Sequence, residues 1–150
     1  MNYSIPLSSH ADIKHSNVKI NLPIQQGSFW ISSPYGIRKN KGKYEMHGGI
    51  DLAAVKGTQV KSVLPGIIKT IKIDGGYGKC ILIEHENNIQ TRYAHLSKIL
   101  VKEGQYVKEG ERIGLVGSTG NTRGKYDPSH LHFELIIEGK KYNPMLHFIH

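Results

Sequence analysis

The sequence predicts an all-β protein built from antiparallel strands. Most apolar residues lie in runs of four to eight, rich in Val and Ile, and these runs end at Gly, Asn or Asp. Apolar residues at the i, i+3, i+4 spacing of a helix are hard to find. The 17 glycines lie at the breaks between runs, where turns are needed. These three observations together favour an antiparallel sheet over a helical or α/β fold.

Each predicted strand lies between residues that favour turns. The first patterned residue is near Phe29, and the predicted strands are 59–64, 67–73, 79–85, 89–95, 112–116 and 130–138. Residues 144–149 have room for at most a short turn of helix.

Cys80 is the single cysteine, so no intrachain disulfide is possible. Because it lies in the third predicted strand, we expect a buried thiol that acts as a small apolar side chain.

The length of 150 residues suits one domain with a single hydrophobic core. Residues 1–27 have no sustained periodicity, so we expect an extended arm or linker there and a folded domain at 28–150. Such an arm packs on the domain, covers a functional cleft or acts as a linker; we favour a packing arm or a linker.

The first residues have neither the basic nor the apolar region of a signal peptide. No apolar run has the roughly 18 residues of a membrane span, so we expect no transmembrane segment.

The net charge of +8 indicates an affinity for polyanions. It represents either a solvated basic surface or a surface that binds anionic polymers, such as those of cell walls. The densest basic cluster is 38–43, which we expect in a polar loop. No nucleic-acid motif or series of stacking aromatics accompanies it, so we expect no specific nucleic-acid partner.

A first candidate metal motif is H-x-x-x-D, formed by His47 and Asp51. On a helix, residues four apart share a face. Gly48 and Gly49 lie between these two residues, and glycines disfavour a helix. We therefore place the pair on a loop that leads into a strand.

A second candidate motif is H-x-H, formed by His130 and His132 on the last long predicted strand. Alternate side chains of a strand share a face, so both imidazoles point one way while Leu131 and Phe133 enter the core. Two histidines and one carboxylate suit a divalent metal with an open position for water, which is the catalytic form of a zinc site. The spacing alone does not say which histidine of H-x-H binds metal.

Histidines elsewhere in the chain differ in their neighbours. His95, within Tyr93-Ala94-His95-Leu96, is the best further candidate to move protons near such a metal. The remaining five have no such partners, and we interpret them as ordinary surface or strand-end residues: His10, His15, His85, His147 and His150.

Three other classes fit the motifs less well. Non-haem iron oxygenases also use two histidines and a carboxylate, but their triad normally begins H-x-D or H-x-E. Sugar-phosphotransferase carriers of similar β architecture use two histidines and have no need for an aspartate four residues after His47. Lipoyl and biotinyl carriers share short repeated turns like 101–104 and 107–110, but they need a Met-Lys or Asp-Lys pair, which this sequence lacks.

Seven motifs in order resemble the lysostaphin-type (LytM-domain) zinc endopeptidases, which cleave peptidoglycan peptides. The resemblance covers about residues 28–145. The motifs are Ser33-Pro34-Tyr35-Gly36-Ile37-Arg38, His47-Gly48-Gly49-Ile50-Asp51-Leu52-Ala53, Gly57-Thr58-Gln59-Val60, Gly75-Gly76-Tyr77-Gly78-Lys79, Tyr93-Ala94-His95-Leu96, Gly117-Ser118-Thr119-Gly120-Asn121 and His130-Leu131-His132-Phe133-Glu134. The resemblance implies an antiparallel barrel-sandwich with the duplicated hybrid motif of these peptidases. It also implies action in the periplasm, outside the cell or at the cell wall.

The resemblance further implies roles for individual residues. His47, Asp51 and His132 match the zinc ligands, while His95 and His130 match the catalytic histidines. Zinc-bound water would attack a peptide carbonyl while the two catalytic histidines move protons. Arg38 and Tyr44 are expected in the substrate cleft.

Two features separate the sequence from the usual family pattern. The link between Gly120 and His130 is lengthened, and it is expected to shape one wall of the cleft and influence substrate preference. Tyr35 stands where Phe is more common. The main alternative is a degenerate domain of the same fold that binds peptidoglycan or activates an amidase without cleaving. Such domains lose metal ligands, whereas this sequence retains the complete set.

Overall fold

The structure is a computed structural model that describes residues 15, 17–120, 122 and 129–149. These residues form twelve strands and one short 3₁₀ helix. In chain order they are β1 (Trp30–Ser33), β2 (Gly36–Asn40), β3 (Lys43–His47), β4 (Ile50–Ala53), β5 (Gln59–Lys61), β6 (Gly66–Lys72), β7 (Lys79–Glu84), β8 (Ile89–Ile99), β9 (Tyr106–Val107), β10 (Arg112–Val116), β11 (His130–Ile137), β12 (Lys140–Tyr142) and the helix Pro144–Leu146.

Ten of these strands belong to one sheet, and the β2–β3 hairpin forms a second sheet of two strands. The main path runs β1-β4-β11-β8-β7-β6-β9, with β12 beside β11 and β10 joining β5 to β8. All the strand pairs are antiparallel, which confirms the predicted fold class. The barrel-sandwich arrangement and its duplicated motif stay predictions.

Strand β8 is the longest element, and it has different neighbours along its length. Its first half pairs with β7 and β11, while its second half also pairs with β10. The register shifts between these halves, and His95 lies at the shift with a φ of 65°. Only a few per cent of residues other than glycine adopt a positive φ, so the backbone is irregular at a chemically important side chain.

The core is made by the inward faces of the central strands. Alternation along β11 buries Leu131, Phe133 and Leu135 completely, as the period of a strand predicts. Tyr93 of β8 lies beside Phe133, with ring centroids 5.3 Å apart. Cys80 is also buried, which confirms its predicted place inside a strand.

The six predicted strands match observed strands, with differences of a few residues at their ends. The prediction of a polar loop at 38–43 was wrong. Arg38 lies in β2 and Lys43 begins β3, and the tight turn between them uses Lys41 and Gly42 with φ values of 52° and 78°. The hairpin is mostly exposed and rich in lysine, so it lacks the apolar alternation by which strands are predicted.

The prediction that His47 and Asp51 lie on a loop leading into a strand was also wrong, since both residues lie in strands. His47 is the last residue of β3 and Asp51 is the second residue of β4, so only Gly48 and Gly49 lie outside the strands. The other strands that the sequence did not predict are also short or exposed: β1, β9 and β12.

Residues 17–27 contact the sheet. Ile20 and Ile24 are fully buried, and Ile20 bridges Phe148 in a parallel pair. The amide of Lys61 donates to the carbonyl of Pro23 at 2.8 Å. Residues 1–14 lie outside the described part, so the boundary expected at 27/28 and the role of the arm stay predictions.

Two histidines interpreted as surface or strand-end residues are buried. His147 is fully buried, and its Nδ1 lies 2.9 Å from the carbonyl oxygen of Val18. His85 is 8% exposed, and its ring nitrogens bond to the carbonyl of Pro65 and the hydroxyl of Thr91. His85 directly follows β7, so its expected place at a strand end agrees with the structure. The interpretation was wrong for His147, because a tertiary contact supplies the polar partner that its buried imidazole needs. His10 and His150 lie outside the described residues.

Among the residues that the structure describes, no helix has the length and apolar character that crossing a membrane requires.

Candidate active site

The pairing of β4 with β11 brings the two histidine motifs together. Asp51 is opposite His132 in the register, and Ala53 is opposite His130. Gly49 permits this approach, because a Cβ there would lie 2.4 Å from the carbonyl oxygen of Phe133. The glycines of the first motif therefore serve close packing between strands.

Three potential metal ligands converge at this point. His132 Nδ1 lies 2.9 Å from Asp51 Oδ1, and His47 Nε2 lies 3.3 Å from both of these atoms. Among the described residues, this is the one group of three or more His, Cys, Asp or Glu side chains placed to share a metal. Tetrahedral zinc with bonds of about 2.0–2.1 Å has ligand atoms about 3.3–3.4 Å apart. The two separations from His47 Nε2 match this value, while the 2.9 Å between His132 Nδ1 and Asp51 Oδ1 is a hydrogen-bond distance. The donor types fit zinc.

Hydrogen bonds on the outer side of the site orient the ligands. His47 Nδ1 donates to the carbonyl of Pro34 at 2.8 Å, which directs Nε2 toward Asp51. Arg38 Nη1 lies 3.7 Å from Asp51 Oδ2, the oxygen that faces away from the histidines. Contacts of this kind set tautomers and ring orientations in metal sites.

The charges of Asp51 and His132 stabilise each other. Burial by itself would raise the pKa of Asp51, but hydrogen bonds and charge interactions with His132 and His47 hold it well below its ordinary value. Burial would likewise lower the pKa of His132, but bonds to Asp51 and Glu134 raise it instead. The Asp51 carboxylate is therefore ionised across the neutral range, as metal ligation requires.

His95 and His130 lie beside these three residues. Their ring centroids are 4.9 Å apart, and His130 Nε2 lies 3.9 Å from Asp51 Oδ1. The ring centroid of His95 is 6.0 Å from that of His132. The structure thus brings all five histidine and aspartate candidates from the sequence into one cluster.

His95 is held in one orientation by a neighbouring loop. Its Nδ1 donates to the carbonyl of Thr119 at 2.7 Å. The loops containing Gly78 and Gly120 touch here, since a Cβ on Gly78 would lie 2.4 Å from the carbonyl carbon of Thr119. Burial lowers the pKa of His95 to about 4, an effect that the Thr119 bond only partly offsets. The ring is therefore neutral at neutral pH and has an unprotonated Nε2.

The cluster lies on the wall of a cleft of about 680 Å³. Arg38 lines this cleft, as expected, and its Nη1 donates to Ser33 Oγ at 2.7 Å. Tyr44 is 75% exposed on β3 and does not belong to the described cleft lining. The lengthened segment before His130 lies outside the described residues except for Thr122 and Ser129, so its influence on the cleft stays a prediction.

Comparison with known proteins agrees with this geometry. The family model described as Peptidase family M23 matches residues 45–144, which contain all five clustered residues. The chain belongs to peptidase family M23. The similarity to lysostaphin-type peptidases seen in the sequence is thereby confirmed.

Individual relatives share both sequence and fold with this M23 domain. Peptidoglycan DD-endopeptidase ShyA of Vibrio cholerae is 44% identical over 99 residues, which cover 66% of this chain and 22% of that protein. The crystal structure of a zinc-containing peptidase from Vibrio cholerae superposes with a TM-score of 0.78 at 35% identity, covering 85% of this chain and 39% of the other.

The catalytic domain of the antimicrobial peptidase lysostaphin from Staphylococcus simulans gives a TM-score of 0.69 at 32% identity. The match covers 78% of this chain and 90% of that domain. By contrast, the chain spans about a quarter of the length of the curated relatives that it matches.

Some residues of the M23 domain that contact the cluster were not assigned from the sequence. Glu134 contacts His132 Nε2 at 2.8 Å, and Tyr77 stacks on the His132 ring with centroids 5.6 Å apart. A signal for Glu134 existed, because residues two apart on a strand share a face. No local signal indicates Thr119, whose carbonyl reaches His95 across a loop contact.

Proposed function

We propose that this chain is the catalytic domain of a zinc-dependent endopeptidase that hydrolyses peptide bonds in the stem peptides or cross-bridges of peptidoglycan. The observation that carries the proposal is the convergence of His47, Asp51 and His132. Their three ligand atoms, His47 Nε2, Asp51 Oδ1 and His132 Nδ1, lie 2.9–3.3 Å apart beside a cleft. We assign the metal-ligand role to these three residues and the catalytic role to His95 and His130.

Zinc held by these ligands would supply Lewis acidity and lower the pKa of a bound water to about 7. His95 contributes an unprotonated Nε2, because its other nitrogen donates to Thr119. It can therefore accept a proton from the attacking water. His130 is 4.9 Å away between ring centroids, so the pair is placed to share proton transfer and to return a proton to the leaving amine.

The substrate class is supported by the relatives. ShyA is named a peptidoglycan DD-endopeptidase, and it shares 44% identity with this chain over the matched region. The cleft residue Arg38 and the lysines of the β2–β3 hairpin provide positive charge beside the ligands. We extend the proposal to contact with anionic cell-wall polymers through this basic surface and to action in the periplasm or outside the cell.

The proposal is tested by metal analysis of the purified chain together with hydrolysis of purified peptidoglycan. The expected result is about one zinc per chain, with activity abolished by chelation and by His132→Ala. His85→Gln is the matched control, since His85 is another buried histidine but lies outside the cleft. It should retain both zinc and activity. Mass spectrometry of the released fragments identifies the bond that is cut.

A different outcome would support the alternative of a degenerate domain. A chain that binds peptidoglycan without zinc and releases no fragments would overturn the endopeptidase proposal. The same preparation can then be tested for activation of an amidase. A chain lacking residues 1–14 tests whether the arm covers the cleft, because unchanged rates would remove that idea.

A further inference from the structure

We infer that Glu134 is a positioning residue, which holds the His132 ring with Nδ1 facing Asp51 and His47. This inference rests on the proposed zinc site. Glu134 Oε2 accepts a hydrogen bond from His132 Nε2 at 2.8 Å, on the side of the ring away from Asp51. With its proton on Nε2, the imidazole presents the Nδ1 lone pair to the metal position.

The Glu134 carboxylate is itself held by several donors. It is 1% exposed, and Oε2 also accepts from the Tyr77 hydroxyl at 2.7 Å. Oε1 accepts from Arg92 Nη1 at 2.6 Å, and Lys141 Nζ lies 3.3 Å from Oε2. Together with the contact to His132 Nε2, these donors hold the Glu134 carboxylate in one orientation as an acceptor.

Stability alone gives a weak reason for a carboxylate at this position. Buried ion pairs often stabilise a fold no more than apolar residues of the same volume, because each charge loses its hydration. The flanking side chains of β11 that face the core are apolar, as Phe133 and Leu135 show. An acceptor aimed at His132 Nε2 gives the charged side chain a specific task that an apolar residue cannot perform.

Tyr77 extends this support to the catalytic side of the site. Its ring stacks on His132 at 29° between planes, and its hydroxyl donates to Glu134. The carbonyl of Tyr77 accepts from the amide of His95 at 2.9 Å. Through Tyr77, Glu134 is thus connected to both His132, a proposed metal ligand, and the backbone of His95, a proposed catalytic histidine.

The test measures zinc affinity by competition with a chelator for the wild type, Glu134→Gln and Glu134→Ala. Loss of an outer partner of a ligating histidine typically weakens metal binding about 10- to 100-fold, which is the loss expected for alanine. Glutamine keeps an acceptor oxygen at nearly the same position, so it should recover part of the affinity. Glu84→Gln is the matched control, because Glu84 pairs with Lys69 at the surface and should leave affinity unchanged.

Spectroscopy separates positioning from general stabilisation. In the zinc-loaded wild type, ¹⁵N NMR should show His132 protonated at Nε2, and saturating cobalt should give a different absorption spectrum in Glu134→Ala. Wild-type affinity and an unchanged cobalt spectrum in both variants would overturn the inference, even if their melting temperatures fell. If Glu134→Ala does not fold, the near-isosteric Glu134→Gln decides by the same measurements. Failure of the wild type to bind zinc would instead overturn the proposed function.

Discussion

The Nδ1 atom of His95 lies 2.7 Å from the carbonyl oxygen of Thr119, and this contact selects the ring nitrogen that faces the cleft. His95 also has a φ of 65°, at a register shift in β8. A backbone irregularity and a directed hydrogen bond therefore place the same imidazole. Strain of this kind is often found where side-chain position matters for function.

His95→Ala should retain zinc but lose catalysis. His95 is outside the proposed ligand set, so its removal leaves the contacts among His47, Asp51 and His132 in place. A positioned acid–base group contributes about 10²- to 10⁴-fold to rate, so kcat should fall by that range. Metal content and peptide hydrolysis are measured on the same preparation. Retained activity, or loss of zinc together with activity, would contradict the assigned role.

Zinc should stabilise the fold through the three proposed ligands. A ligand that binds only the folded state raises stability with its concentration, by about 2.7 kcal/mol at 100 times its dissociation constant. Thermal unfolding with zinc and with chelator should therefore differ for the wild type. Asp51→Asn should reduce this difference strongly, because it removes the one anionic side chain among the three proposed zinc ligands. That carboxylate contacts both His47 and His132. An equal zinc-induced shift in the variant would exclude Asp51 as a ligand.

His85 should make the folded state less stable as the pH falls below 6.5. Burial lowers the pKa of His85 from its ordinary value of 6.5, with partial compensation from the Pro65 carbonyl. The unfolded chain then takes up a proton between pH 6.5 and the lower folded value, while the folded chain does not. Stability is therefore complete above pH 6.5 and declines through this window.

Urea unfolding across this pH range measures the effect. In His85→Gln the decline should be shallower, since the titrating group is gone. Thr91→Val is the control, because it removes the hydroxyl bonded to His85 Nε2 but leaves the imidazole. It should keep the decline. Identical pH profiles for the wild type and His85→Gln would show that His85 does not cause it.

Two neighbouring glycines should differ in their tolerance of alanine. A Cβ on Gly49 would lie 2.4 Å from a backbone oxygen of Phe133, whereas one on Gly48 would meet the flexible side chain of Lys141. Gly49→Ala should lower the free energy of unfolding by about 1–3 kcal/mol, the usual cost of overpacking. Gly48→Ala should cost less, because Lys141 can move. Chemical denaturation measures both, and equal losses would contradict the close approach of β4 and β11.

The central strands and the two histidine motifs could be predicted because their signals are local. The period of two along β11 placed Leu131 and Phe133 in the core and both histidines on the other face. The β2–β3 hairpin could not be predicted in this way, because its exposed, lysine-rich strands lack apolar alternation. The burial of His85 depended on Pro65 and Thr91, which reach it only through strand pairing.

The all-β character and the candidate residues His47, Asp51, His95, His130 and His132 could be predicted from the sequence. Their mutual geometry depends on the tertiary fold. The register of β11 against β4 places His132 opposite Asp51, and a loop contact brings Thr119 to His95. The physical reason is that side-chain alternation follows from neighbouring residues, whereas register and loop contacts depend on packing between distant segments. The H-x-H pair shows the difference, since Glu134 and Asp51 together hold His132, and His130 lies next to His95.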